Sequence, residues 1–137
     1  MKLNFASATG ALALLTILAC GGGGEGESSQ MIAFPYTATN TAPGAPVYIR
    51  PLGLLESDAS LFASGETKVG PIVSPTFSGA TDTQNVVFTA YRPGGIELGR
   101  ATINLSVTDA FNVKNGVQNL IVTFNGTTLT ASLVPAP

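Results

Sequence analysis

The sequence predicts an all-β protein, an antiparallel β-sandwich of about seven strands behind an apolar leader and a Gly-rich linker. Three observations lead there. From Met31 onward, apolar and polar residues alternate in short runs, the period of a half-buried strand. Pro and Gly punctuate those runs, and no long stretch spaces its apolar residues as a helix would. The chain has 137 residues, 45% hydrophobic and only 10% charged, which suits one packed domain and opposes a disordered composition.

The first element is the leader. Lys2 is the only charge before Glu25, and Phe5 to Ala19 is uncharged and mostly Ala, Leu and Ile. That run has the length of a signal-peptide core and is short for a membrane-spanning helix of ~20 residues. It ends in Leu15-Thr16-Ile17-Leu18-Ala19-Cys20. This segment resembles the lipobox of bacterial lipoproteins, with aliphatic Ile17 three places before the Cys and small Ala19 just before it. Leu18 is bulkier than the commonest choice at its place. A thiol is the strongest side-chain nucleophile for receiving a diacylglyceryl group, and a small preceding residue opens the scissile bond to the peptidase. The resemblance implies a signal peptide over 1–19, cleavage between Ala19 and Cys20, and lipidation of Cys20. It also implies an address in the cell envelope. Gly21 stands where an Asp commonly signals inner-membrane retention, which favours the outer membrane.

The second element, residues 20–30, is the anchor Cys and a tether reading Gly-Gly-Gly-Gly-Glu-Gly-Glu-Ser-Ser-Gln after it. Gly-rich chains span ~5–6 Å times the square root of their length, so ten residues give roughly 17 Å. The expected domain is 31–137.

Within the domain, expected strands are Met31 to Tyr36, Pro46 to Leu52, Thr67 to Val73 and Asn85 to Arg92. Pro93-Gly94-Gly95 breaks the last of these before Ile96 to Gly99. Thr102 to Thr108 alternates strictly, with Ile103, Leu105 and Val107 on one face. Leu120 to Phe124 and Thr127 to Leu133 flank Asn125-Gly126, a strong signal for a two-residue hairpin. That loop would pair Phe124 with Thr127, Val122 with Leu129 and Leu120 with Ala131. Pro51, Pro71 and Pro75 mark strand ends or edges. Glu56 to Ala63 is the one place for a short helical turn, capped by Ser57 or Asp58.

This pattern resembles the immunoglobulin-like sandwich architecture, without the paired Cys or core Trp of antibody domains. Phe34, Ile49, Phe62, Phe77, Phe88, Ile103, Leu105, Val122 and Leu129 are then the expected core. A jelly roll or small barrel is the alternative.

Composition narrows the function. Net charge is −2 with six Lys and Arg, which argues against nucleic-acid binding. With no His and one Cys, His-based triads, His or paired-Cys zinc sites and intrachain disulfides are excluded. The remaining carboxylates, Glu56, Asp58, Glu66, Asp82, Glu97 and Asp109, specify no cleft, and Lys68 and Lys114 sit in no motif. No catalytic, cofactor or metal residue is assigned, and the expectation is not an enzyme. Glu56-Ser57-Asp58 and Thr81-Asp82-Thr83 are oxygen-rich but match no calcium loop. Tyr36, Tyr48 and Tyr91 are the candidates for stacking on a sugar ring. The leading expectation is a lipid-anchored envelope protein whose sandwich meets a protein partner or plays a structural role. A glycan-binding module is the alternative, and a carboxylate-based hydrolase the least favoured.

Overall fold

The computed structural model describes residues 29–54 and 56–137. The leader, the cleavage site at Ala19 and Cys20, and nearly all of the tether lie outside the described residues.

The domain is all-β, as expected, with ten strands among the described residues. One four-stranded sheet is built from β2 (Thr37–Asn40), β5 (Thr67–Val69), β9 (Gln118–Phe124) and β10 (Leu129–Pro135), in the order β10-β9-β2-β5. The other holds β3 (Val47–Pro51), β4 (Leu61–Phe62), β7 (Thr83–Arg92) and β8 (Ile96–Ser106), in the order β4-β3-β7-β8. A two-stranded ribbon joins β1 (Gln30–Met31) to β6 (Thr76–Phe77). Gln30, assigned to the tether by composition, thus already pairs with Phe77. All ladders are antiparallel except one: β2 runs parallel to β9, a pairing that needs the long crossover the second sheet supplies.

The two sheets face each other across one core. Leu120, Val122 and Phe124 of β9 and Leu129 of β10 point in from one side. Val47, Ile49, Val86, Phe88, Ala90 and Leu105 point in from the other. Every expected core residue is buried except Ile103, which packs against the core while half-exposed. Alternate burial runs unbroken from Ile32 through Phe34, Tyr36, Ala38 and Asn40 to Ala42. The first strand therefore continues past Tyr36, and it changes partners as it goes. Met31 pairs with Thr76, Phe34 bridges to Val73, and β2 then sits between β9 and β5.

The hairpin register is a correction. Phe124 pairs with Leu129, Val122 with Ala131 and Leu120 with Leu133, two places beyond the expected register. The loop is longer because the Asn125 side chain organises it. Its Oδ1 accepts from the backbone N–H groups of Thr127 at 3.0 Å and Thr128 at 2.8 Å. A shift of two preserves the faces, so Leu120, Val122, Leu129 and Ala131 still point the same way.

Helix α1 (Val107–Lys114) is the second correction, because Thr102 to Thr108 was expected to stay extended. The strand ends at Ser106, whose Oγ accepts from the Asp109 N–H at 3.0 Å while the Asp109 carboxylate accepts from the Ser106 N–H at 3.0 Å. This reciprocal capping box starts the helix. Val107, Ala110 and Val113 fall on one buried face. The short turn expected near Ser57 is present as a 3-10 turn over Asp58–Ser60.

The strand directions define two ends. At the entry end lie β1, residues 52–54 and 56–57, α1 and the end of β10. At the far end lie the turns around Gly44, Gly65, Gly94 and Gly126.

Candidate functional site

The outward face of the β4-β3-β7-β8 sheet gathers the side chains with the most binding chemistry. The residue signal is local: in Val47-Tyr48-Ile49-Arg50-Pro51, alternation that buries Val47 and Ile49 turns Tyr48 and Arg50 outward. Cross-strand pairing then sets Tyr48 opposite Tyr91 and Arg50 opposite Thr89. On the next strand Thr89 faces Arg100, and Tyr91 faces Glu97. A bulge between Ala90 and Tyr91 shifts the register and admits Leu98 as an extra residue.

Arg50 is the centre of this patch. Its guanidinium carbon lies 4.6 Å from the Tyr91 ring centre, and its Nη2 lies 3.9 Å from Glu56 Oε2. The side chain is 15% exposed, and its buried Nε has no hydrogen-bond partner among the described residues. Thr89 is fully buried although alternation turns it outward, and its hydroxyl donates to the Arg50 carbonyl at 3.4 Å. Beside it, Arg100 grips Glu97 through two hydrogen bonds, of 2.8 and 3.3 Å. That grip holds the Glu97 carboxyl below its usual range, and the same contact raises Arg100. Further along the face, Asn104 Nδ2 donates to Asn85 Oδ1 at 2.9 Å. The face thus offers one ring with a cation over it, a second ring beside it, and paired charges at its border.

Of the three tyrosines expected to be available for stacking, the structure brings Tyr48 and Tyr91 together and removes Tyr36. Tyr36 is 1% exposed, packs edge-on to Phe88 with ring centres 4.9 Å apart, and donates its hydroxyl to the Ile49 carbonyl. Burial raises its phenol far above the ordinary value. It is a core residue. Sequence reasoning passed over Arg50, Glu97 and Arg100 as parts of one patch. The period-two placement of Arg50 beside Tyr48 was the available signal; the contribution of β8 depends on the bulge.

The other candidates are dispersed. Glu56 pairs with Arg50, while Asp58 begins the 3-10 turn. Asp82 accepts from the Ser78 N–H, the Thr83 N–H and the Gln84 side chain, each at 2.8 Å. The Ser78 bond, then the Gln84 bond, hold its carboxyl below the usual range. Its oxygens organise a turn. Lys68 donates to the Leu61 carbonyl at 2.6 Å and lies 3.6 Å from Glu66. Lys114 sits 5.9 Å from the Phe111 ring. Among the described residues, no three His, Cys, Asp or Glu are grouped so as to hold a metal ion. No described helix is long and apolar enough to cross a membrane.

No protein-family model, curated protein or solved structure matches the chain.

Proposed function

We propose that the chain is a lipid-anchored envelope protein whose β-sandwich presents a surface for a protein partner or for a structural role. The observation that carries this reading is the placement of the only Cys, at the end of an apolar run with Ile17 and Ala19 before it and a Gly-rich segment after it. In this reading Cys20 is acylated and the outer membrane holds the protein. Several acyl chains anchor firmly where one holds marginally, since each buried methylene contributes about 0.8 kcal/mol. Strand addition at an exposed sheet edge is one mode of binding open to such a partner. The reading is tested by fatty-acid labelling of the wild type and of Cys20→Ser. The wild type takes up label and fractionates with membranes; a Cys20→Ser protein that is processed and membrane-bound as before refutes the anchor. Protease treatment of intact cells then reports the side: release without permeabilisation marks an outward-facing domain, and protection a periplasmic one.

A second reading, glycan binding, is favoured by the Tyr48–Tyr91 pair on the outer face. Sugar rings present C–H groups that pack on aromatic faces, and the flanking Arg and Glu side chains match their hydroxyls. Soluble glycans or peptidoglycan fragments should quench tyrosine fluorescence, and Tyr91→Ala should lose the response. No response across a glycan panel rejects this reading.

A further inference from the structure

An apolar groove of about 500 Å³ opens at the entry end, between the end of β3, residues 72–75 and the start of β7. Leu52, Leu54, Ile72, Pro75 and Val87 form its walls, and no charged residue lines it. Leu52 and Ile72 are 50% and 55% exposed and meet in this groove, so they form a patch and not isolated surface residues. Met31, 69% exposed, pairs with Thr76 beside Pro75 of the groove wall. The loops of the far end are built mostly of Gly, Pro, Ala, Thr, Asn and Ser, with Ile96, 62% exposed, as a single apolar side chain beside the Gly94-Gly95 turn.

The occupant follows from where the chain enters. β1 begins at Gln30, at the same end as the groove, and nine residues separate it from Cys20. Nine residues reach roughly 17 Å by the coil rule used above. Strand β8 alone has 11 residues, or about 36 Å at ~3.3 Å each. An anchor at Cys20 therefore keeps the entry end, on average, closer to the headgroups than the far end. We propose that the groove and its rim, Leu52, Leu54, Ile72 and Met31, rest in the interface of the lipid bilayer. The proposal relies on the anchoring reading above. Charge selects the kind of bilayer. Glu56 is engaged by Arg50, the Lys68 ammonium lies 3.3 Å from the Asp58 carbonyl oxygen, and Asp82 and Asp109 stand against Lys114. With no basic excess to draw anionic headgroups, the fitting surface is zwitterionic.

The test uses the full mature, lipidated protein in phosphatidylcholine vesicles. Cys20 is blocked by lipid in this material, so single cysteines at Leu52→Cys, Ile72→Cys and, as the far-end control, Thr127→Cys can carry an environment-sensitive fluorophore. Flotation with the vesicles reports anchoring independently. The expected result is a blue-shifted emission at 52 and 72, quenched by nitroxide lipid and protected from an aqueous quencher, with 127 remaining water-like. Adding anionic lipid should not strengthen the shift. Flotation with 52 and 72 as water-exposed as 127 overturns the proposal and leaves the anchor standing. A concentration-dependent shift without vesicles would mean that a second copy covers the groove, which also overturns it. Failure to float refutes the anchor and the proposal together.

Discussion

The Tyr36 hydroxyl donates to the Ile49 carbonyl over 2.7 Å, and this buried bond ties the first long extended segment to strand β3 of the facing sheet. A phenol so placed must stay protonated in the folded state, because the interior solvates neither its charge nor a repelled carbonyl.

That bond makes a pH prediction. Burial raises the folded-state phenol above the ordinary value of 10.0, so the unfolded chain loses its proton first. The stabilisation is complete below about pH 10 and drains away as pH rises further. Chemical denaturation from pH 8 to 11.5 should show stability falling more steeply in the wild type than in Tyr36→Phe. At neutral pH the same variant should lose about 1–3 kcal/mol, the cost of an unpaired buried acceptor. Parallel pH curves would remove Tyr36 as the titrating group.

Gly70 is the counterpart of that ring. Its N–H donates to the Tyr36 carbonyl at 2.9 Å, and a Cβ at this position would overlap the Tyr36 ring. Gly70→Ala should therefore cost about 1–3 kcal/mol through overpacking. Gly70→Ala combined with Tyr36→Ala should cost less than the two single changes added, since the smaller side chain vacates the space. Strict additivity in a double-mutant cycle would show that backbone freedom, rather than the ring, selects glycine here.

The hairpin loop tests how far local signals reach. Gly126 has φ +104°, and a Cβ there would lie 3.4 Å from Ala42 Cβ. Gly126→Val should cost roughly 1–3 kcal/mol from left-handed strain alone. Asn125→Ala should also destabilise, by about 1 kcal/mol, because its carbonyl oxygen serves two backbone N–H groups. If Asn125→Ala melts with the wild type, the side chain does not organise the loop.

These positions show which parts of the fold the sequence makes legible. Period-two alternation identified the core because burial on a strand repeats every second residue whatever the partner strand is. It could place Phe34 and Phe88 inside, but it could not see that one extended segment changes partners between Met31 and Asn40. Asn125-Gly126 located the turn, yet the loop length depended on which side-chain oxygen met which N–H, and the two-residue shift left every face unchanged. Helix α1 was marked by Ser106, Asp109, Lys114 and Gly116, a cap, first-turn acid, last-turn base and stop. The strict alternation of Thr102 to Thr108 outweighed those signals. The outer-face patch was half legible: Tyr48 and Arg50 follow from alternation, whereas Arg100 meets Thr89 through strand pairing and Glu97 reaches Tyr91 only through a register shift that leaves no mark in composition.

The two arginines of that patch should behave differently when removed. Arg100 is held only by Glu97, on the exposed surface, where an ion pair trades one solvated arrangement for another. Arg100→Ala should leave the melting temperature unchanged. Arg50 lies over the Tyr91 ring with most of its side chain out of water. Arg50→Ala removes the cation–ring contact and the packing of its stem, at a cost of about 1–2 kcal/mol. Arg50→Met keeps most of the stem without the charge and the unpartnered Nε, so it should recover part of that loss. Equal melting temperatures for Arg50→Ala and Arg100→Ala would mean that Arg50 is no better held than a surface side chain. The rigidity of the Tyr48–Tyr91 face would then have to come from the strands alone.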